Sequence, residues 1–166
     1  MSSSVQDGKA GRPPTVVVGV DGSAGATAAL RWALAEARLR KSPIRIVHAW
    51  MFGYSGGSID GSMYWGDGLG PSAYAELDLS TVHRAAEDLL ERAVAEAGAG
   101  TDGIEVERRV IQAPAAEALI AAAGPDDLLV VGSRGHGGFS SLLLGSVSRT
   151  VLQHSAVPVV VIRHRE

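Results

Sequence analysis

An open, five-stranded parallel α/β sheet with helices on both faces is the fold class this sequence predicts, on three observations. Five short runs rich in Val and Ile alternate with four stretches of helical period. Two of the runs, residues 15–20 (TVVVGV) and 128–131 (LLVV), are nearly continuously apolar, as in strands buried on both faces. The connections are mostly short, which implies right-handed crossovers and hence parallel strands.

Residues 1–14 read as a flexible, Ser/Gly/Pro-containing leader, and residues 15–166 as a single domain. After the first strand, Asp21, Gly22 and Ser23 form a turn in which Ser23 is placed to cap a helix. Residues 24–41 make that helix: Leu30, Leu34 and Ala37 lie on an apolar side, Arg38, Arg40 and Lys41 form a basic last turn, and Pro43 stops it. Residues 44–50 (IRIVHAW) are the second strand. Residues 51–71 show neither period and read as a long Gly/aromatic loop, either a lid or partner surface or a plain insertion. A helix is expected over 72–97, with Val82, Ala86, Leu89, Leu90 and Val94 at helical spacings. Residues 104–111 alternate and read as a half-exposed strand. A short helix over 115–123 ends at Gly124-Pro125. The fourth strand runs straight into Gly132, residues 140–154 are expected to be helical, and 157–162 form the last strand.

Composition narrows the function classes. A chain of 166 residues, 46% hydrophobic and 20% charged with a net charge of −3, suits one globular core. No apolar run approaches the ~20 residues of a membrane span, and the first 14 residues lack the apolar segment of a secretory signal, so a cytoplasmic protein is expected. The absence of cysteine excludes disulfides, thiolate metal ligands and thiol nucleophiles. The weak acidic balance gives no electrostatic reason to expect nucleic acid as a partner.

The glycines carry the functional signal. Fifteen of 21 fall in three stretches: Gly19 to Gly25, Gly53 to Gly70, and Gly132 to Gly145. All three follow strands, at the carboxyl edge where parallel sheets bind ligands. In the third, Gly132, Ser133, Arg134, Gly135, His136, Gly137 and Gly138 lead toward Gly145, Ser146, Val147 and Ser148. Glycines there let backbone N–H groups face a phosphate, and the following helix N-terminus favours negative charge. Ser146 and Ser148 offer hydroxyls and Arg134 offers positive charge. The segment is not a Walker loop, because the only lysines are Lys9 and Lys41.

The spacing G-x2-G-x9-G-S, from Gly132 through Gly135 to Gly145-Ser146, resembles that of ATP-binding universal stress proteins. VVVGVDGS (16–23), IVHAW (46–50) and the block at 128–162 are similar to that family's opening strand, second strand and C-terminal segment. The resemblance covers residues 15–163. It implies a flavodoxin-like, Rossmann-like domain that binds ATP, with Mg2+ as an optional companion, in a regulatory stress-response role. It places Gly19 and Val20 as the floor of the site, with Ser23 in the turn beside them. Asp21 lies near ribose and phosphates and is the one candidate metal ligand. Val47 is the residue whose backbone reads the adenine edge. Gly132, Gly135 and Gly145 cradle the phosphates, capped by Ser146 and Val147. Where the family usually has Gly in the turn after strand three, this chain has Ala113. The resemblance further implies a homodimer paired through the last strand, and a protein partner whose identity is open.

Other signals are weaker. Gly53-Tyr54-Ser55-Gly56-Gly57 fits the nucleophile-elbow spelling, but no helix follows it directly. The five histidines show no metal-binding spacing. His48 is expected to be a packed, hydrogen-bonded strand residue, His136 a phosphate contact, and Asp126-Asp127 a solvated turn. An enzyme, such as a slow ATPase or nucleotidyl-transfer catalyst on the same fold, is the alternative; no general base with a visible partner supports it.

Overall fold

A computed structural model describes residues 13–51, 79–98, 103–136 and 143–164. Its elements alternate: β1 (Val16–Gly19), α1 (Ala24–Arg40), β2 (Ile44–Trp50), α2 (Leu79–Glu96), β3 (Val106–Gln112), α3 (Ala115–Ala122), β4 (Leu128–Gly132), α4 (Ser146–His154) and β5 (Val159–Ile162). The first 12 residues, most of the expected 51–71 loop and the expected helical start at 72–78 lie outside the described residues.

All strand pairs are parallel, in the order β3-β2-β1-β4-β5. The chain builds outward from β1 to β3, then returns to the other flank of β1 for β4 and β5. The order therefore reverses between β1 and β4, and the crevice beyond their carboxyl ends is where such sheets take ligands.

Alternating side chains of the central strands feed two cores. Val16, Val18, Ile44, Ile46 and Val130 pack under α1 and α2, whereas Val17, Val47, Leu129 and Val131 pack under α3 and α4. Helices thus cover both faces, and each strand's period of two serves two layers at once. β3 is an edge strand with Arg108 and Arg109 exposed, and exposed charge on an edge opposes unwanted strand pairing.

α1 is capped at both ends. The Ser23 hydroxyl accepts the Ala26 N–H at 3.1 Å, as its position in the turn predicts. At the other end Lys41 turns left-handed (φ 54°), with Lys41 N–H to Arg38 C=O at 3.2 Å and Ser42 N–H to Ala37 C=O at 3.0 Å, a Schellman closure.

Two expectations need correction. The last helix begins at Ser146, with Gly145 as its N-cap, so Leu143 and Leu144 belong to the preceding loop. Asp126 is exposed, but Asp127 is 3% exposed and not solvated. Its carboxylate accepts the N–H groups of Thr15 and Gly124, both at 2.8 Å, and lies 3.7 Å from buried Arg45. Arg45 in turn reaches Glu107 and the Ala122 carbonyl, each at 2.6 Å. This network ties the amino-terminal end of the sheet together, opposite the ligand edge, and gives the buried charges the partners they require.

Candidate functional site

β1 ends at Gly19, and the next residues turn above the switch point. Gly22 has φ +84°, a left-handed turn that a side chain resists. The turn directs Asp21 toward the β4 loop: Oδ1 accepts Ser23 N–H at 2.9 Å, and Oδ2 accepts His136 N–H at 3.4 Å. The His136 ring nitrogen Nδ1 stands 3.8 Å from the same oxygen. Gly135 lies so close that a Cβ there would run into the Asp21 carboxylate. The two motifs the sequence placed 110 residues and more apart therefore meet at one point.

The β4 loop is closed at its neck. Ser133, 5% exposed, donates its N–H to Ile162 C=O at 2.7 Å, and its carbonyl accepts Gly145 N–H at 2.7 Å. The Ser148 hydroxyl, buried beneath, faces the carbonyls of Ser133 (3.0 Å) and Gly145 (3.1 Å). Ser133 and Ser148 thus hold the loop rather than face outward. Gly145 caps α4 with no side-chain bond, so the first N–H groups of that helix, on Ser146, Val147 and Ser148, lack intrahelical partners, as at any helix start. Ser146 is exposed, as are Arg134 and His136. That arrangement suits an anion.

Gly132, expected to cradle a phosphate, is also packed closely against α1. A Cβ on Gly132 would lie 2.8 Å from the carbonyl carbon and oxygen of Gly25 and 3.2 Å from Ala26 N. A Cβ on Gly25 would meet the Arg134 carbonyl oxygen. The pair lets the first turn of α1 seat directly against the start of the β4 loop. Gly25 was not singled out as a site residue; its place as the third glycine of the Gly19–Gly25 cluster was the available signal. A Cβ on Gly145 would have only ordinary surroundings, the nearest atom being Arg134 Cα at 3.5 Å.

The remaining sequence candidates are spread along the carboxyl edge. Gly19 faces Leu119 of α3, and Val20 is 5% exposed. Ala113 is half-buried after edge strand β3, on the far side of β2 from β1. Val47 is 1% exposed and mid-strand, and its carbonyl accepts Val20 N–H at 2.9 Å. Ala49, two residues on and half-buried, presents its N–H and C=O on the same flank of β2, past the end of β1. Gly137 and Gly138 lie outside the described residues.

His48 is 5% exposed, and its Nδ1 lies 2.8 Å from the Val20 carbonyl, as a packed, hydrogen-bonded histidine would. Burial pushes its pKa down, partly offset by that bond and by the Asp21 charge. On the α2 side, Asp21, Gly22, Thr27, Leu89, Arg92 and His136 border a shallow cavity of about 150 Å³. That is well below the ~300–1,000 Å³ of a pocket for a whole small molecule. Among the described residues no group of three or more His, Asp or Glu gathers as a metal site, and no helix is long and apolar enough to cross a membrane. A single carboxylate, that of Asp21, stands where the two loops meet; Mg2+ commonly takes one or two from a protein when phosphates supply the rest.

Residues 14–163 match the family model of the universal stress protein family. A universal stress protein of Mycolicibacterium smegmatis is 32% identical over 147 residues, 89% of this chain and 47% of the relative. The chain spans a little under half the length of that relative and of a Mycobacterium tuberculosis universal stress protein it also matches, of which 44% is covered. Among solved structures, a universal stress protein from Lactobacillus plantarum superposes with TM-score 0.68 at 21% identity, covering 92% of this chain and 99% of that one. One solved in complex with cAMP gives 0.52 at 28% identity, covering 92% and 98%. One from Archaeoglobus fulgidus in complex with dAMP gives 0.57 at 24% identity, covering 90% and 96%.

Proposed function

This chain belongs to the universal stress protein family, and on that premise we propose that it is an ATP-binding regulatory module. The observation that carries the reading is the meeting of the Asp21 turn with the β4 loop and the start of α4 at the β1/β4 switch point. Phosphates lie against the N–H groups of Ser146 and Val147, beside Gly135, Arg134 and His136. Asp21 faces the ribose and phosphates, with Mg2+ where present. The adenine edge lies against the backbone of Ala49, one residue pair further along β2 than Val47 (whose carbonyl is already taken). Two related proteins solved with cAMP and dAMP support an adenine nucleotide as the ligand class.

β5 supports a second part of the reading. It is an edge strand with all four residues half-exposed, and it lies on the flank opposite charged β3. Pairing with a second copy through β5 would bury that apolar edge and give a homodimer.

Isothermal titration with ATP, ADP, AMP and cAMP, with and without Mg2+, tests the ligand. Saturable ATP binding that Asp21→Asn and Gly135→Ala weaken supports the reading; no heat with any of the four refutes it. Conversion of ATP within seconds in a single-turnover incubation would replace the regulatory reading with an enzymatic one. Light scattering at micromolar concentration tests the dimer, and a monomer mass removes it.

A further inference from the structure

The peptide that joins β1 to the Asp21 turn is gripped from both sides by β2. Val20 donates its N–H to Val47 C=O at 2.9 Å, and its own carbonyl is met by His48 Nδ1 at 2.8 Å. In a regular parallel ladder the carbonyl of Val20 would accept the N–H of the β2 residue two beyond Val47, which is Ala49. A side chain occupies it here, at the point where β1 ends and the chain begins its left-handed turn at Gly22.

We infer that His48 is a positioning residue for the nucleotide site: its ring ends the β1–β2 ladder, fixes the peptide before Asp21, and leaves the Ala49 N–H directed past β1 toward the ligand. The inference rests on the adenine-nucleotide reading of that edge. Three observations carry it. A carbonyl only accepts, so Nδ1 carries the proton and the ring is held in one tautomer. Val20 and His48 are each 5% exposed, so without the ring the Val20 carbonyl would be a buried acceptor needing a new donor, and Ala49 N–H is the nearest on its ladder. The bond also reaches the loops by the shortest path, because the next residue, Asp21, holds both Ser23 and His136. Among the described residues the far ring nitrogen, Nε2, has no hydrogen-bond partner.

Two measurements on the full chain test this. In titrations with ATP, at a temperature where circular dichroism shows each variant folded, His48→Leu is expected to weaken binding about five- to tenfold, the size of one lost hydrogen bond. His48→Asn, whose amide N–H2 reaches the same carbonyl, is expected to stay within about twofold of wild type. Equal affinity for His48→Leu and wild type, or no rescue by Asn, overturns the role. On ligand-free wild type, ring 15N spectra are expected to show the Nδ1-protonated tautomer, and hydrogen exchange to show an Ala49 amide less protected than Val47. An Nε2-protonated ring, or an Ala49 amide already protected, overturns it even if His48→Leu does not fold. Should wild type bind no adenine nucleotide, the reading of the site fails, and the tautomer and exchange data alone decide what His48 does.

Discussion

Replacing Gly132 by Ala separates two uses of a loop glycine. If Gly132 were there for phosphate approach, Gly132→Ala would reduce nucleotide affinity and leave the fold alone. It would even stabilise slightly, by ~0.4–1 kcal/mol, since Ala restricts the unfolded chain and Gly132 is not in a left-handed conformation. The structure puts three backbone atoms in the way: the Gly25 carbonyl carbon and oxygen at 2.8 Å and Ala26 N at 3.2 Å from the added methyl. None of them can rotate aside as a side chain would, so α1 must shift away from β4. Overpacking of that kind costs ~1–3 kcal/mol. After the entropy gain, a net loss of about 1–2 kcal/mol is expected, or roughly 2–8 °C in Tm for a domain of this size. Gly135→Ala is the control. Its methyl meets only the Asp21 carboxylate, a side chain 45% exposed and able to turn outward. Its Tm should hold while ATP affinity falls. Thermal melts by circular dichroism with urea titrations, read beside ATP binding, decide the matter. A Gly132→Ala protein melting at or above the wild-type temperature would refute the close packing of α1 on β4.

Three further outcomes follow from the same geometry. Lys41→Gly relieves a left-handed residue at the end of α1 and is expected to stabilise by ~0.5–1 kcal/mol, read as a higher urea midpoint at unchanged slope. Asp127→Ala orphans the N–H groups of Thr15 and Gly124 and removes a charge facing buried Arg45, so a loss of ~2–5 kcal/mol is expected; a loss under ~1 would show water replacing the carboxylate. Because burial holds the His48 pKa below its ordinary 6.5, the unfolded chain binds a proton that the folded chain refuses. His48 therefore contributes stability in full above pH ~6.5 that is lost as pH falls toward the lower folded value. His48→Asn should flatten that part of the urea-midpoint profile, and an unchanged slope would assign it to other groups.

Most of the fold was legible because its elements are written locally. The β-branched runs and the helical periods of Leu30, Leu34 and Ala37, or of Val82, Ala86 and Leu90, specify element type without reference to neighbours, and apart from the start of α2, which lies outside the described residues, and that of α4, the observed ends fall within a residue or two of those expected. The exceptions have local causes with distant partners. Helix α4 starts six residues late because Gly145 N–H is claimed by Ser133 across the loop neck. Asp127 looked solvated because two of its partners, Thr15 and Arg45, lie more than 80 residues away.

The candidate site divides along the same line. By itself the sequence singled out loops: glycine clusters after strands, a turn at Asp21, and a spacing from Gly132 to Ser146 that resembles that of universal stress proteins. Only the tertiary structure decided what each residue is spent on. It placed the order reversal between β1 and β4, so Asp21 and Gly135 meet. It gave Gly132 to the packing of α1, gave Ser148 to the loop neck, and bonded the Val47 carbonyl to Val20. The physical reason is that a chain's hydrogen-bonding and conformational capacities are local properties. Which partner exhausts them depends on strands and loops brought together from distant parts of the sequence.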